Sequence, residues 1–487
     1  MTNMYDQWTG SPSLTVVLLG LATLTFVIIR ARKPALDLPR FEVTSDVAKT
    51  IEEAHAQYPE DPFILSMVGM ELVILPRSSI DVLKALPENH VSIKKHHHDV
   101  FLGQYTYMGT KAPEFDEAMR YDLPRNTLTV LASFVAEVAY AVEQSFGQPR
   151  AWTSFQPRRG MSRIASLMSG RAFVGLPLSR DETWIQATVT YTQDVTRAWL
   201  VLRTIPWPIR PLIAGLLPQV RSLKYQRRMT EERLKPLLET PSTQQSTADD
   251  APGGDMLRWF RQRYPGNPTP KQLARDQLLA TFASIYNLSN ALTYLIFDLA
   301  SYPEHIEPLR AELREVLQGE SINKENIQRL KKLDSFIRES QRLSPPSLAN
   351  MPRIVTHPRG LKLPSGHVIP HGTRVMVRAH TLNMDPLLWS NPATFDGFRF
   401  ATLRDQPGNA FKYQHATTGT DNINFGHGIW ACPGRHFASS QMKVVLAHLL
   451  LHYDIKLPEG AEKPQQQHFG LAIVPDETAT VLIKLRE

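Results

Sequence analysis

The sequence has a single cysteine, Cys432, among its 487 residues. One thiol excludes an intramolecular disulfide framework and any metal site built from several thiolates. A fold without disulfides is typical of the reducing side of a membrane. Zinc-finger, RNP and basic-helix patterns are also absent, so the net charge of +7 favours anionic lipid or an acidic protein partner over nucleic acid. The composition leaves one question, which is what the lone cysteine does.

Charge is missing altogether from the segment Ser11–Ile29 near the N-terminus. Its 19 residues, taken as a helix, span about 28 Å, which is close to the apolar thickness of a bilayer. The basic segment Arg30–Lys33 follows at once, and the positive-inside rule then places the N-terminus in the lumen. A cleaved secretory signal needs a basic start and a small-residue cleavage site, and the sequence has neither. It therefore predicts a lumenal stub and transmembrane anchor over residues 1–33 and a cytosolic domain over residues 34–487.

Helical periodicity dominates the chain over Val47–Leu450, without an internal repeat. Strand-like segments lie near Pro62–Met70 and Leu363–Ala379. The stretch Thr240–Asp255 is rich in Ser, Thr, Gly and Pro and is typical of a surface loop. The apolar, proline-broken segment Thr204–Pro218 fits either a buried connector or a loop that dips into the membrane. These patterns predict a mainly α protein with small β-sheets.

Cys432 lies in a glycine-rich turn, Phe425–Gly434, directly before the apolar helical run Phe437–Leu451. Glycine lets the backbone approach a flat ligand closely, and the amides of a turn and a helix start stabilise and tune a thiolate. A thiolate bound to haem iron pushes electron density onto the metal and favours O–O cleavage. A lone cysteine is otherwise most often a small buried hydrophobe, so the spacing of the residues around it decides between these roles.

That spacing, FGHGIWACPG over Phe425–Gly434, resembles the haem-binding loop of cytochromes P450, F-x-x-G-x-x-x-C-x-G. A second motif lies about ninety residues upstream, where Glu339 and Arg342 share one helix face and resemble the E-x-x-R motif of the family's helix K. Arg399, within Phe395–Phe400, resembles the second arginine that joins this pair. The resemblance implies that Glu339, Arg342 and Arg399 form a structural network and not a catalytic one.

The resemblance covers almost all of the chain after the predicted anchor. It is closest to microsomal-type P450s of fungal secondary metabolism, as in RAFVGLPLSRDETW over Arg171–Trp184. It implies the P450 fold, mainly α with small β-sheets, with haem b between a central helix and the helix after the cysteine loop. Cys432 would be the axial metal ligand, Arg353 would pair a haem propionate, and Arg125 matches a further propionate partner loosely. The positions that the resemblance assigns to the cofactor are Cys432, Phe425, Gly426, Gly434, Arg353, Arg125, Trp430 and Ala283.

Two positions depart from the family. Trp430 stands where the family usually has Arg or His, so a single uncharged donor replaces a cation. In the central helix, predicted over Gln277–Leu299, Tyr286 and Asn287 replace the acid and the alcohol that deliver protons in the motif A/G-G-x-D/E-T-T. An amide orients water but carries no proton at neutral pH. Tyr286 and Asn287 are the candidate catalytic positions, with delivery through bound water or a substrate hydroxyl as the hypothesis and simple packing as the alternative.

The resemblance implies an NADPH-driven monooxygenase that receives electrons from a flavin-containing NADPH–cytochrome P450 reductase. It also implies a single-pass protein of the endoplasmic reticulum membrane. A basic face near Arg435 and Lys443 is expected to dock the reductase. The expected reaction is hydroxylation, desaturation, epoxidation or ring rearrangement of a hydrophobic, multi-ring secondary metabolite, terpenoid or indole-alkaloid-like. Phe101–Thr110 and Tyr286–Asn290 are the expected walls of its pocket.

The altered central helix leaves two other functions open. A P450-fold isomerase or cyclase would take no external electrons and would not need the acid–alcohol pair. A non-catalytic haem-thiolate binding protein would also keep the cysteine loop while losing the oxygen site. Consumption of NADPH and O2 in the presence of substrate separates these functions.

Overall fold

The structure is a computed structural model that describes most of the chain, namely residues 36–67, 70–110, 112–239 and 255–487. The predicted anchor Ser11–Ile29 lies outside these residues, as does nearly all of the predicted loop Thr240–Asp255. Among the residues that are described, no helix combines the length and the apolar character needed to cross a membrane.

Helices carry most of the fold, as the periodicity predicts. Those of eight residues or more are α1 (Val47–Gln57), α2 (Ile93–Val100), α3 (Thr127–Phe146), α4 (Pro157–Phe173), α5 (Glu182–Thr204), α6 (Pro218–Glu239), α7 (Asp255–Arg263), α8 (Pro270–Ser301), α9 (Ile306–Leu317), α10 (Lys331–Leu343) and α11 (Arg435–His452). Shorter helical turns include Ile80–Leu83, Gly103–Thr106, Pro113–Glu117, Ala118–Asp122, Leu123–Arg125, Arg210–Ile213, His380–Asn383, Arg399–Arg404 and Gly428–Trp430.

The strands form small sheets. They are β1 (Arg40–Glu42), β2 (Phe63–Met67), β3 (Met70–Leu75), β4 (Val91–Ser92), β5 (Thr153–Phe155), β6 (Ala349–Val355), β7 (Leu361–Lys362), β8 (Val368–Ile369), β9 (Arg374–Arg378), β10 (Tyr453–Lys456), β11 (Gln466–Phe469), β12 (Ala472–Pro475) and β13 (Val481–Leu485). The largest sheet has the order β1-β2-β3-β9-β6-β4, and a second has the order β10-β13-β5. Both predicted strand segments are confirmed, and so is the fold class, mainly α with small sheets.

The central helix α8 is 32 residues long and packs against α4, α5, α6, α10 and α11. It begins seven residues before the predicted start at Gln277 because Thr269 and Gln272 form a reciprocal capping box, with a proline at the first helical position. The first turns are polar, so the apolar periodicity alone did not reveal them. Close to the cysteine-loop helix, the ring of Phe437 lies 4.9 Å from that of Phe134 and 5.6 Å from that of Phe173, which joins α3, α4 and α11 in one core.

The predicted Glu–Arg–Arg network is present and fully buried. Glu339 is 0% exposed and accepts from both guanidiniums, with Arg342 at 2.7 and 2.8 Å and Arg399 at 3.1 and 3.2 Å. The remaining N–H groups of Arg342 and Arg399 donate to backbone carbonyls, including those of Asn383 and Ser390. All members are therefore hydrogen-bonded, which is the condition under which a buried charge cluster is tolerated. The network fixes the segment around Arg399 against α10.

Candidate active site

The cysteine loop is shaped by glycines that no other residue could replace at low cost. Gly426 and Gly428 have φ of 68° and 75°, a backbone region that L side chains rarely adopt. A Cβ on Gly428 would lie 2.1 Å from the carbonyl oxygen of Lys84, which accepts the amide N–H of Ile429 at 2.9 Å. Gly428 occupies the glycine position of the quoted loop pattern, and the structure adds it to the predicted cofactor-loop positions beside Gly426.

Cys432 sits immediately before the start of α11. Its amide donates to the carbonyl oxygen of Phe425 at 2.7 Å, which closes the turn, and its side chain is half-buried. Burial raises the pKa of the Cys432 thiol, while the backbone N–H groups of Gly434 and Arg435 oppose that shift by donating to the sulfur. Such amide donors stabilise a thiolate once a cation binds it. A Cβ on Gly434 would contact the sulfur at 3.9 Å, so glycine keeps this side of the thiol clear.

The central helix presents a small accessible face in the middle of an otherwise buried stretch. Ala283 and Asn287, one turn apart, are both exposed, whereas Ile285, Leu288 and Ser289 are buried. Residues at i and i+4 share one helix face, so Ala283 and Asn287 form one accessible face. Tyr286, the other candidate catalytic position, is half-buried beside it. Ala283 and Asn287 therefore share one accessible helix face, and their roles at the site stay predictions.

The predicted wall Phe101–Thr110 packs against the central helix next to this face. The ring of Phe101 lies 5.6 Å from the ring of Phe282 in an edge-to-face arrangement and 6.2 Å from that of Trp199. Leu102 and Tyr107 both adopt positive φ, 52° and 67°, so the segment turns sharply at either side of a short helical turn. Aromatic and strained backbone elements of this kind hold a wall in one shape.

Arg353 is a buried cation. It is 1% exposed, its Nη1 donates to the carbonyl oxygen of Pro352 at 2.8 Å, and its Nε has no hydrogen-bond partner. No carboxylate among the described residues lies at ion-pair distance, and burial lowers the pKa of Arg353 to about 10. Burial likewise lowers the pKa of neighbouring His96 to about 3 and of His97 to about 4, and the charge of Arg353 adds to the shift of His97. The electropositive environment fits an anionic ligand.

Trp430 is held from outside the cysteine loop. Its indole N–H donates to the carbonyl oxygen of Leu86 at 2.9 Å, so its only donor is already engaged. The guanidinium carbon of Arg120 lies 4.7 Å from the centre of the Trp430 ring, a cation–π distance. Arg125, the predicted propionate partner, ends a short helical turn and is exposed. Arg120 is therefore the basic residue that the structure brings to the loop, and no sequence signal distinguished it from Arg125.

Comparison with known proteins decides the family. The sequence model described as Cytochrome P450 matches residues 118–482, which is well over half of the chain. The chain belongs to the cytochrome P450 family. Membership makes it an oxidoreductase of the monooxygenase type, and it implies haem with a cysteine-thiolate ligand. Cys432 is the chain's one cysteine and hence the candidate ligand.

This P450 is similar along its whole length to curated fungal monooxygenases. It is 78% identical to the cytochrome P450 monooxygenase ataF of Aspergillus terreus, with 98% of each chain covered. It is 55% identical to the cytochrome P450 monooxygenase gliF of Aspergillus fumigatus, with 93% of this chain and 92% of the relative covered. The resemblance to fungal P450 monooxygenases is thereby confirmed.

Solved structures confirm the fold. A retinoic acid-bound cyanobacterial CYP120A1 superposes with a TM-score of 0.69 at 16% identity, covering 93% of this chain and 99% of that one. The haem domain of cytochrome P450DA gives a TM-score of 0.69 at 14% identity, covering 92% of this chain and 98% of that one. At such low identity the likeness concerns the fold alone.

The residues present fit a haem. The Nε of buried Arg353, which has no hydrogen-bond partner and no ion pair among the described residues, suits a propionate. The sulfur of Cys432, supported by two amides, suits the iron. The accessible helix face at Ala283 and Asn287 could pack against a flat ligand that Cys432 binds from the opposite side.

The predicted docking role of Lys443 is wrong. Its side chain is 12% exposed, and its Nζ lies 2.7 Å from Oδ1 of buried Asp334 on α10. Burial alone would raise the pKa of Asp334, but Lys443 outweighs it and holds that pKa below its ordinary value. Arg435 is half-buried and donates to the carbonyl oxygen of Cys432 at 2.9 Å. Lys443 stabilises the fold around α11, because this helix packs on α10 at a position where periodicity alone would expect a surface.

Proposed function

We propose that this P450 is a haem-thiolate monooxygenase that oxidises a hydrophobic, multi-ring secondary metabolite with O2 and NADPH-derived electrons from a flavin reductase. The observation that carries the proposal is the cysteine loop, in which glycine turns and a helix start present the only thiol with amide donors directed at it. A packing cysteine would need neither the turns nor the donors. Hydroxylation, desaturation, epoxidation and ring rearrangement all remain within this activity.

When bound, the haem supplies the oxidising chemistry. Cys432 would hold its iron. The buried guanidinium of Arg353 would form an ion pair with a propionate. The apolar wall made by Phe101 and Phe282 would exclude water and orient a greasy substrate. Asn287 would hold a water on the accessible face through its amide, while a group that can exchange protons must lie elsewhere.

A P450-fold isomerase or cyclase is the second candidate, since Tyr286 and Asn287 replace the acid and alcohol. The test reconstitutes the full chain with NADPH–cytochrome P450 reductase in phospholipid nanodiscs. Hydrophobic multi-ring compounds are first screened for a shift in the haem spectrum on binding. Product that forms only with NADPH and O2 supports the monooxygenase, and product that forms from a bound compound without either supports the isomerase.

Asn287 gives the first prediction. Asn287→Ala should lower product formed per NADPH by on the order of tenfold or more, because the water that its amide orients for proton delivery would lose its hydrogen-bond partner. Asn287→Thr should keep or raise it, because a hydroxyl both donates and accepts. The measurement uses the first compound that shifts the haem spectrum. Asn89→Ala, at an exposed position outside the site, is the control, and equal coupling in all four proteins would reduce Asn287 to a packing residue.

We infer membrane association from two separate segments. Ser11–Ile29 is the predicted single-pass anchor of the endoplasmic reticulum membrane. In the proline-broken segment between α5 and α6, Trp207, Leu212 and Leu216 are 60%, 77% and 63% exposed. Large apolar side chains exposed together favour contact with lipid, where Trp sits at the interface. The loop reading of Thr204–Pro218 is thus preferred to the buried connector.

The loop prediction concerns the depth of Trp207. The contribution of Trp207 to the tryptophan fluorescence is the difference between wild type and Trp207→Phe. In nanodiscs, brominated lipid should quench this contribution. Replacing Leu212 and Leu216 together by Glu should remove that quenching, because burying an aliphatic side chain is worth about 1.5–3 kcal/mol and burying a charge is unfavourable. Leu387→Glu, at another site that is 91% exposed, should leave it unchanged. Quenching that survives the double substitution would place the loop in water.

A further inference from the structure

One side of the central helix carries polar groups that the proposed chemistry has not used. Tyr286 and Asn290 lie one turn apart, and the Asn290 side chain is within hydrogen-bonding reach of the Tyr286 phenol. Ser289 is 1% exposed and donates to the carbonyl oxygen of Tyr286 at 3.0 Å. The side-chain oxygen of Asn290 and the hydroxyl of Tyr294 are buried without a hydrogen-bond partner. Unsatisfied polar atoms in this position indicate a place for bound water.

Arg158, from the first turn of α4, reaches this side of the helix. Its Nη1 donates to the hydroxyl oxygen of Ser289 at 2.9 Å and to that of Ser162 at 2.7 Å. Its guanidinium carbon lies 5.9 Å from the centre of the Tyr286 ring. The contact spans 131 residues of sequence, so it is made by the packing of α4 on α8. Arg158 thereby holds Ser289 through a hydrogen bond and Tyr286 through a ring contact.

Arg158 has no close counter-ion among the residues that the structure describes. None of the carboxylates in the described part of the chain lies at ion-pair distance from it, and the groups whose charges act on it are Tyr286, Tyr294 and Glu477. Glu477 is exposed in the loop between β12 and β13 and also acts on Tyr286. The half-buried guanidinium of Arg158 thus lies between the surface carboxylate of Glu477 and the phenol of Tyr286. A largely desolvated cation that bonds only to hydroxyl groups is costly, so a role beyond packing is indicated.

The charges decide what Tyr286 can do. Burial raises the pKa of Tyr286, and Arg158 opposes the shift without reversing it. Burial lowers the pKa of Arg158, yet guanidinium remains charged at neutral pH. Tyr286 therefore stays a neutral phenol, and the neighbouring cation makes its O–H a better donor. A phenol can pass a proton on while it takes another, which the amides of Asn287 and Asn290 cannot do.

We propose that Arg158 and Tyr286 form the proton-supply side of this active site, with Arg158 as the positioning residue and Tyr286 as the group that relays the proton. The inference rests on the proposed monooxygenase function. Tyr286 gives its hydroxyl proton to a water at Asn287 and takes one from water that leads past Arg158 to solvent near Glu477. One O–H bond breaks and one forms on Tyr286, so it ends unchanged, and one proton moves from bulk to the pocket without electron transfer.

The first test needs no turnover. The full chain is labelled with 3-fluorotyrosine, and the fluorine resonance lost in Tyr286→Phe is followed against pH. Arg158→Met should raise the proton affinity of the Tyr286 phenol by about tenfold or more, because a positive charge about 6 Å away has been removed. Arg158→Lys should restore most of the wild-type titration. The same titration in wild type and Arg158→Met would show that the cation does not act on the phenol and would overturn the proposal.

The second test measures the rate of product formation by the reconstituted chain with NADPH, reductase, O2 and the first compound that shifts the haem spectrum. Tyr286→Phe and Arg158→Met should each slow it by about tenfold or more, and the double variant should be no slower than the slower single one, since both act in one relay. Arg158→Lys should recover most of the rate. Haem content and the CO-bound spectrum should not change, whereas a parallel loss of haem would show a purely structural role and overturn the proposal.

Matched variants separate this inference from the function on which it rests. Arg159→Met changes the exposed neighbour of Arg158, and Tyr225→Phe changes a tyrosine that is 62% exposed; both should behave as wild type. Wild-type protein that consumes no O2 with NADPH, reductase and a compound that shifts the haem spectrum contradicts the monooxygenase proposal itself. Wild-type turnover that Tyr286→Phe leaves intact contradicts the relay alone.

Discussion

Cys432→Ser should abolish the strongly red-shifted Soret band of the reduced, CO-bound protein. The shift depends on a thiolate opposite the CO, and a serine hydroxyl is a far weaker ligand that stays protonated at neutral pH. The loop itself should survive, because the amide of residue 432 and the carbonyl oxygen of Phe425 do not involve the side chain. The measurement is the difference spectrum of the membrane fraction, scaled to the haem content.

Ala431→Ser is the matched control, since it places the same hydroxyl one residue earlier. It should retain the band. A band of full height in Cys432→Ser, or its absence from haem-loaded wild type, would remove the assignment of Cys432 as the axial ligand. With the band established in wild type, screening of substrates can begin.

Glu339→Ala should lower the free energy of unfolding by about 3–5 kcal/mol, because it leaves two buried guanidiniums without their carboxylate. Arg342 and Arg399 are 2% and 7% exposed, so water cannot take the place of Glu339. Glu339→Gln keeps the shape but not the charge and should also destabilise strongly. The measurement is denaturant unfolding, together with the haem-loaded fraction after expression.

Glu315→Ala removes an exposed carboxylate from α9 and should change stability by no more than about 0.5 kcal/mol. The comparison separates loss of the buried network from loss of one negative charge. Equal unfolding midpoints for Glu339→Ala and Glu315→Ala would mean that Glu339 does not hold Arg342 and Arg399 in solution. The network acts on folding, so any loss of activity should follow the loss of haem-loaded protein.

The sequence by itself determined the parts whose chemistry is local. The cysteine loop is recognisable because its glycines and its cysteine stand at fixed spacings, and the backbone conformations it needs are available to glycine. Glu339 and Arg342 pair because helical periodicity puts i and i+3 on one face, and their pairing is observed at 2.7 Å. Apolar periodicity also found the central helix, although its polar first turns were missed.

Only the tertiary structure decided which distant groups meet. Lys443 was predicted on the surface but pairs with Asp334, and Trp430 donates to Leu86 across 344 residues. Arg120 likewise meets Trp430 of the cysteine loop, and Arg158 meets Ser289 and Tyr286 of α8. The periodicity of a helix or strand indicates which of its sides is buried. The partner of a charged side chain, however, comes from the element that packs against that side, and which element packs there depends on the relative placement of whole helices.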